Sequence, residues 1–315
     1  MPRHASMRRG SGLKAVLAMS IAAAASGASA GASTDHELVT LLDKAGVYVV
    51  TYCNTFTDIV AEEEYDQTYE GQLSGAAGTA PRRTTLADIV FVSLGGSFQW
   101  ASFRDVFLVD GHEVHDRKTR LETLFLDKTS SNLDEALGIR TESARFNIGR
   151  ARTINEPTAP LMFIHPRNQH RFDFHLRKKR KVAGVEVAEV SFREKARPTM
   201  IRNEAGDDMP ATGRLWIEPE SGAVVRSEII VDLPEQLDNP MMQAVQLAKG
   251  RIRVDYHLDP HLGIWVPAQM SEDYPKTKCR ASYSNYRRFT VTTMEAIGLP
   301  PEKAQADSPT EPSSP

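Results

Sequence analysis

The chain has 315 residues, with 38 Lys and Arg against 41 Asp and Glu, a formal net charge of −3. That balance argues against a nucleic-acid binder, which needs a basic surface to neutralise phosphates. Beyond the N-terminal segment, no apolar run is long enough for a membrane helix.

The N-terminus reads as a secretory signal. Arg3, Arg8, Arg9 and Lys14 give a basic start, an apolar run spans 15–25, and Ala28-Ser29-Ala30 supplies small residues for cleavage. Cleavage after Ala30 predicts a periplasmic or secreted protein. The Arg8-Arg9 pair permits a twin-arginine reading, which the residues after it fit poorly. No Cys precedes Cys53, which argues against a lipid-anchored N-terminus. Removing 1–30 takes away four of the 38 basic residues and no acid, leaving 34 against 41, a net charge of −7. The rest exceeds the ~250 residues at which single cores tend to stop growing. One large β-rich domain over 31–299 is the expectation. The tail 300–315 is rich in Pro, Glu and Ser and is predicted to be disordered.

Residues 35–61 carry apolar side chains at Leu38, Leu41, Leu42, Ala45, Val49, Tyr52, Phe56 and Val60, the spacing of an amphipathic helix. Thr34 or Asp35 offers an N-cap. Val47, Val49, Val50 and Thr51 lower intrinsic helicity, so this helix needs a sheet to pack on. The stretch "EEYDQTYEGQ" predicts a strand. In 83–94, Val90 and Val92 point one way and Ile89 and Phe91 the other, so the strand is covered on both faces. A tight Asp110-Gly111 turn marks a hairpin. Residues 116–166 read as a central helical insert, with a cap at Ser131 or Asn132 and stops at Gly149 and Pro166.

From 171 onward the pattern is strands. "RKKRK", 177–181, reads as a basic connection or charged hairpin tip, with anionic lipid or an acidic partner as the functional alternative. A phase change along 185–192 predicts a bulge near Ala188. "GRLWIEPESGAVVRSEIIV" is a hairpin turning at 218–222. Residues 233–250 read as a loop. A second hairpin turns at 259–263, and 279–293 is the last strand. Consecutive hairpins predict an antiparallel sheet. The fold class is therefore α+β, a large sheet packed on helices.

Candidate chemistry is sparse. His112, Glu113, His115 and Asp116 approximate the zinc pattern H-E-x-x-H, but the second His falls one residue early and His112 sits beside a turn. Asp255, His257 and Asp259, with His261 beyond, alternate along a strand and could form a metal or acid–base cluster or a solvated face. Tyr283, Tyr286, Arg287 and Arg288 read as strand aromatics with snorkelling arginines. Cys53 and Cys279 could form a disulfide worth roughly 2–4 kcal/mol, or stay buried thiols. There is no nucleophile elbow, phosphate loop, dinucleotide fingerprint or C-x-x-C.

The order of elements, with "GRLWIEPESGAVVRSEI" and "LGIWVPAQMSEDY", resembles periplasmic carriers and sensors of the LolA, LppX and RseB type. The resemblance spans 35–293. It implies a strongly bent, half-barrel-like antiparallel sheet wrapped around helices, with an apolar cavity for acyl chains. It implies an exported, non-catalytic carrier or sensor of a lipid or lipoprotein acyl chain, without cofactor or metal. Val90, Val92, Trp216, Ile217, Ile264 and Val266 are the candidate wall, and would serve equally as plain core. Two alternatives stand beside it: an exported hydrolase or metal enzyme centred on Asp255, His257 and Asp259, and an envelope protein-interaction module using the 233–250 loop around Met241 and Met242.

Overall fold

The structure, a computed structural model, describes residues 24–56, 59–70, 81–94, 99–116, 142–148, 155–203, 206–235 and 246–288. Within these, the side chains of 24–34, 91–94, 99–101, 234–235 and 246–247 lie outside the description. A helix α1 (Ala24–Phe56) precedes eleven strands: β1 (Ile59–Tyr69), β2 (Arg82–Leu94), β3 (Gln99–Val109), β4 (His112–Glu113), β5 (Phe172–Val182), β6 (Val185–Glu194), β7 (Ala211–Ile217), β8 (Val224–Glu235), β9 (Gln246–Asp259), β10 (Ile264–Tyr274) and β11 (Thr277–Arg288).

All eleven strands form one antiparallel sheet in the order β4-β3-β2-β1-β11-β10-β9-β8-β7-β6-β5. Two meanders, β1 to β4 and β5 to β11, join where the last strand pairs with the first, Tyr65 facing Ala281. The sheet stays open, with β4 and β5 as its edges. Register shifts interrupt five ladders, at 60/62, 86/87, 176/179, 216/217 and 267/269. Each extra residue bends its strand and increases local twist, which curves a sheet this wide. The expected large, bent antiparallel sheet on an N-terminal helix is what the chain forms.

Alternation assigns the faces. β11 reads buried and exposed in turn from Thr277 to Ser284, placing Cys279, Ala281 and Tyr283 on an inner face. α1 lies across that face. Glu37 pairs with Lys179 of β5 at 2.7 Å, the Lys44 ammonium donates to the Pro219 carbonyl in the β7–β8 turn at 2.9 Å, and the Phe56 ring lies 6.2 Å from Tyr286 of β11. Residues 155–171 cross the same face from the other side. They begin under β3, where Arg104 donates to the Asn155 carbonyl, and end at β5, where Phe163 stacks on Phe172.

Several local expectations shift. α1 begins at Ala24, not at Thr34 or Asp35, and stops at Phe56, so Val60 belongs to β1. An alanine-rich lead-in continues the helix upstream, which leaves no cap to form at 34–35. "RKKRK" is not a connection. It lies along β5, and the turn that follows is Ala183-Gly184, both at positive φ. The bulge expected at Ala188 is opposite it, on β5. Of the 233–250 loop, 233–235 and 246–250 extend β8 and β9, while Met241 and Met242 lie outside the described residues. Much of the 116–166 insert lies outside them too. Its described end is a 3-10 turn, Ala159–Phe163, that buries Pro160, Leu161, Met162 and Phe163.

The hairpin of β7 and β8 turns as expected at 218–222. Glu218 holds the turn, accepting from the Ser221 and Glu220 amides. Gly222 has φ +77°, and a Cβ there would sit 2.5 Å from the Lys44 carbonyl of α1. The helix backbone thus rests directly on this turn, and only glycine allows that approach. Gly222→Ala is expected to cost more than the ~1–2 kcal/mol of left-handed backbone strain alone, because α1 must also lift. Urea denaturation should show the loss, and limited proteolysis should cut α1 faster than in the parent chain.

Candidate functional site: the covered apolar face

The inner face is a continuous apolar surface. From β6 through β10 it presents Val190, Leu215, Ile229, Val254 and Met270, each almost entirely buried. α1 supplies the opposing stripe Leu41, Ala45, Val49, Tyr52 and Phe56, the three-and-four spacing read from the sequence. Residues 161–164 complete the cover. Tyr48 of α1 reaches the backbone of Trp265, and burial, the larger effect, pushes its hydroxyl pKa up. Tyr256 donates to the Pro157 carbonyl at 2.8 Å, tying β9 to the crossing segment.

Polar clips tie the parts of the cover together. Gln169 donates to the Leu42 and Ile164 carbonyls at 3.0 and 2.8 Å, pinning the crossing segment to α1. Gly46 admits Pro166 at that contact, since a Cβ would lie 2.9 Å from the proline ring. The other side of α1 exposes Val39, Val47 and Val50, with Val47 at 68%. These valines stand among exposed polar residues such as Thr40, Asp43, Thr51 and Asn54.

One end of the inner face is polar. Glu63 and Arg104, 1% and 3% exposed, form a two-pronged ion pair between β1 and β3, Nη2 donating to Oε1 at 3.0 Å and Nε to Oε2. Burial disfavours the guanidinium charge, but Glu63 more than offsets it, so the Arg104 pKa stays raised. Tyr65 carries the Arg104 guanidinium over its ring at 5.6 Å and donates to Glu272 at 2.7 Å. Ser143 bridges the Arg104 amide and the Ser102 carbonyl. Burial pushes the Tyr283 hydroxyl well up, so it stays protonated. Glu63 and Arg104 neutralise each other within this end of the face.

The candidate wall residues do not gather in one place. Ile217 and Val266 are fully buried in the main core, and Ile264 packs against it in part. Trp216, next to Ile217 in β7, points to the opposite face and forms a small cluster with Val182, Val187 and Val225. Val90 is half-buried on β2, and the Val92 side chain lies outside the described residues. Cys53 and Cys279 both lie buried in the main core. Burial pushes the Cys53 thiol up to about 12, which keeps it protonated at neutral pH.

The alternative centres are taken up otherwise. Asp255 pairs with Arg226, Asp259 accepts from the His261 and Leu262 amides of the turn, and His257 is exposed. His112 and His115 are exposed beside the β3–β4 turn, and Asp116 pairs with Arg145. Among the described residues, no three His, Cys, Asp or Glu side chains group so as to hold a metal, and no helix is long and apolar enough to cross a membrane. Nothing in the sequence analysis singles out the buried Glu63–Arg104 pair, whose stretch reads only as a strand.

No family model matches the sequence, and no curated protein matches it at a significant level. Solved structures do. The chain is similar to a domain from Vibrio parahaemolyticus described as outer membrane lipoprotein-sorting, at 9% identity and TM-score 0.34, over 79% of this chain and 94% of that one. It is similar to a DUF1329 family protein from Desulfovibrio piger, at 11% identity and TM-score 0.31, over 82% and 95%. LprF from Mycobacterium bovis follows at 10% identity and TM-score 0.23, over 80% and 97%.

The buried pair gives a clear expectation. Arg104→Met or Glu63→Leu alone leaves the other charge buried and unpaired and should cost ~3–5 kcal/mol. The double change Glu63→Leu with Arg104→Met should recover most of that loss. A double-mutant cycle in urea checks it, and simple additivity would count against the pair acting as a unit.

Proposed function

We propose that the protein is an exported, non-catalytic carrier or sensor whose inner sheet face takes up an acyl chain when α1 and residues 155–171 move aside. The observation that carries this reading is the mismatch between wall and cover. The wall is a rigid sheet, each inner strand hydrogen-bonded on both sides. The described cover is one helix and one irregular segment, attached through clips such as Lys44–Pro219 and Gln169–Leu42. A cover of that kind opens locally at a lower free energy than the sheet beneath it.

The chemistry of the seam suits an amphiphile. The exposed trough would be lined by Val, Ile, Leu, Met and Tyr side chains, and each buried CH₂ of a ligand contributes ~0.8 kcal/mol. The cover's own apolar contacts are exchanged for contacts with the chain, so opening is offset by binding. In this reading Ile217 and Val266 are wall, Ile264 lies at its margin, and Trp216 takes no part.

Native mass spectrometry of chain purified from a periplasm, in mild buffer, tests this directly. The expected result is an added mass that organic solvent releases and that a long-chain fatty acid restores. A bare chain that takes up no fatty acid, even at concentrations that saturate serum albumin, would overturn the reading. A metal mass in its place would favour the enzyme alternative.

A further inference from the structure

The outer face of the sheet carries a second feature that the acyl reading does not use. A groove of about 820 Å³ crosses β5 to β8 there, within the ~300–1,000 Å³ range of small-molecule sites. Its lining is cationic although the chain as a whole is acidic. We propose that this groove binds a phosphate-bearing ligand, with Arg177, Lys178, Arg193 and Arg214 as its donors.

The register explains how these side chains meet. Ser191 of β6 faces His175 of β5 and Arg214 of β7, and Arg214 faces Glu228 of β8. Arg193 lies one step along, between Asp173 and Thr212. All project from the face opposite Phe192 and Leu215. The bulge in β5 then changes the alternation. Leu176 faces Val190, but Lys179 faces Ala188, so one residue of β5 is extra. With regular alternation Arg177 and Lys178 would point to opposite faces. The bulge sends both to the groove and turns Lys179 inward, where it meets Glu37 of α1. Re-aiming side chains is what bulges do beside binding sites.

The acids in the groove orient guanidinium groups more than they cancel the cations. Glu189, 3% exposed, sits between Arg180 and Arg214, at 2.5 and 3.2 Å. Glu228 is held by Arg251 and Arg253, at 3.1 and 2.8 Å, both from outside the groove. Asp173 pairs with Lys195, also from outside. Arg177 donates to the Ser191 hydroxyl at 2.8 Å. Lys178 and Arg193 pair with no carboxylate among the described residues. Each acid is thus matched, and three cations remain over with donors directed at the groove. The four donors are exposed on one sheet face, and guanidinium forks there favour the tetrahedral phosphate oxygens. A cationic edge strand that only blocks sheet-to-sheet pairing would not need the cations of β6 and β7 beside it.

The site is on the opposite face from the acyl trough, so it stands or falls separately. The test is calorimetric titration of the whole exported chain with inorganic pyrophosphate, and flotation with vesicles of phosphatidylglycerol or of phosphatidylcholine. Saturable pyrophosphate binding that weakens with added salt supports the proposal with a free phosphate compound as ligand. Flotation with phosphatidylglycerol alone supports it with a lipid headgroup. Lys178→Ala and Arg193→Ala should each weaken whichever binding is found by about tenfold, with unchanged thermal unfolding. Arg193→Lys should weaken it too, since the charge stays and the fork is lost, and Lys249→Ala should not. Binding to neither probe, or binding indifferent to all three groove substitutions, overturns it.

Discussion

A single sheet with one apolar face cannot stand alone in water, and that constraint organises the chain. Eleven strands give a wide inner surface, and every buried side chain on it must be met by something. No second sheet is among the described residues. The meeting is done by α1, which arrives before the first strand, and by residues 155–171, which lie between the two meanders. The second must cross the sheet because the chain ends its first meander at one edge and starts its second at the other. The topology therefore places irregular backbone against the core, and the core supplies the polar partners that such backbone requires. Arg104 on the Asn155 carbonyl and Tyr256 on the Pro157 carbonyl are those partners.

The same constraint separates the two faces by chemistry. The inner face is mostly apolar, with a buried ion pair at one end, under β1 to β3, where Glu63 and Arg104 neutralise each other. The outer face over β5 to β8 is laced with charge. Burial disfavours the Glu228 carboxylate, but Arg253 and Arg251 outweigh it and hold its pKa low. Between the faces the connections are specific: the β5 bulge turns one lysine to α1 and its neighbours outward, so one irregularity serves both the cover and the groove.

Much of this was legible in the sequence, and the failures have physical causes. Alternation and turn chemistry gave the hairpins at 110–111, 218–222 and 259–263, because Asp-Gly and Glu-Ser-Gly turns interrupt period-2 runs cleanly. Helix spacing gave the buried stripe of α1 but overran its end, since Val60 falls four residues after Phe56 and fits either pattern. "RKKRK" concealed a strand because five cations in a row carry no alternation of hydropathy; only the register reveals which point inward. Grouping Trp216 with Ile217 ignored the period of a strand, which already sends neighbours to opposite faces. The Glu63–Arg104 pair could not be read at all, because its partners are 41 residues apart and nothing local marks either as buried.

In the carrier reading, cover and wall are separate in stability. Hydrogen exchange of the intact chain measures this most directly. α1 from 35 to 56 and residues 155–171 should exchange through local openings at free energies well below those of β6 to β10, and an acyl ligand should change protection there first. Exchange of the helix, the crossing segment and the central strands together, in one global unfolding step, would contradict it and make the inner face a plain solid core.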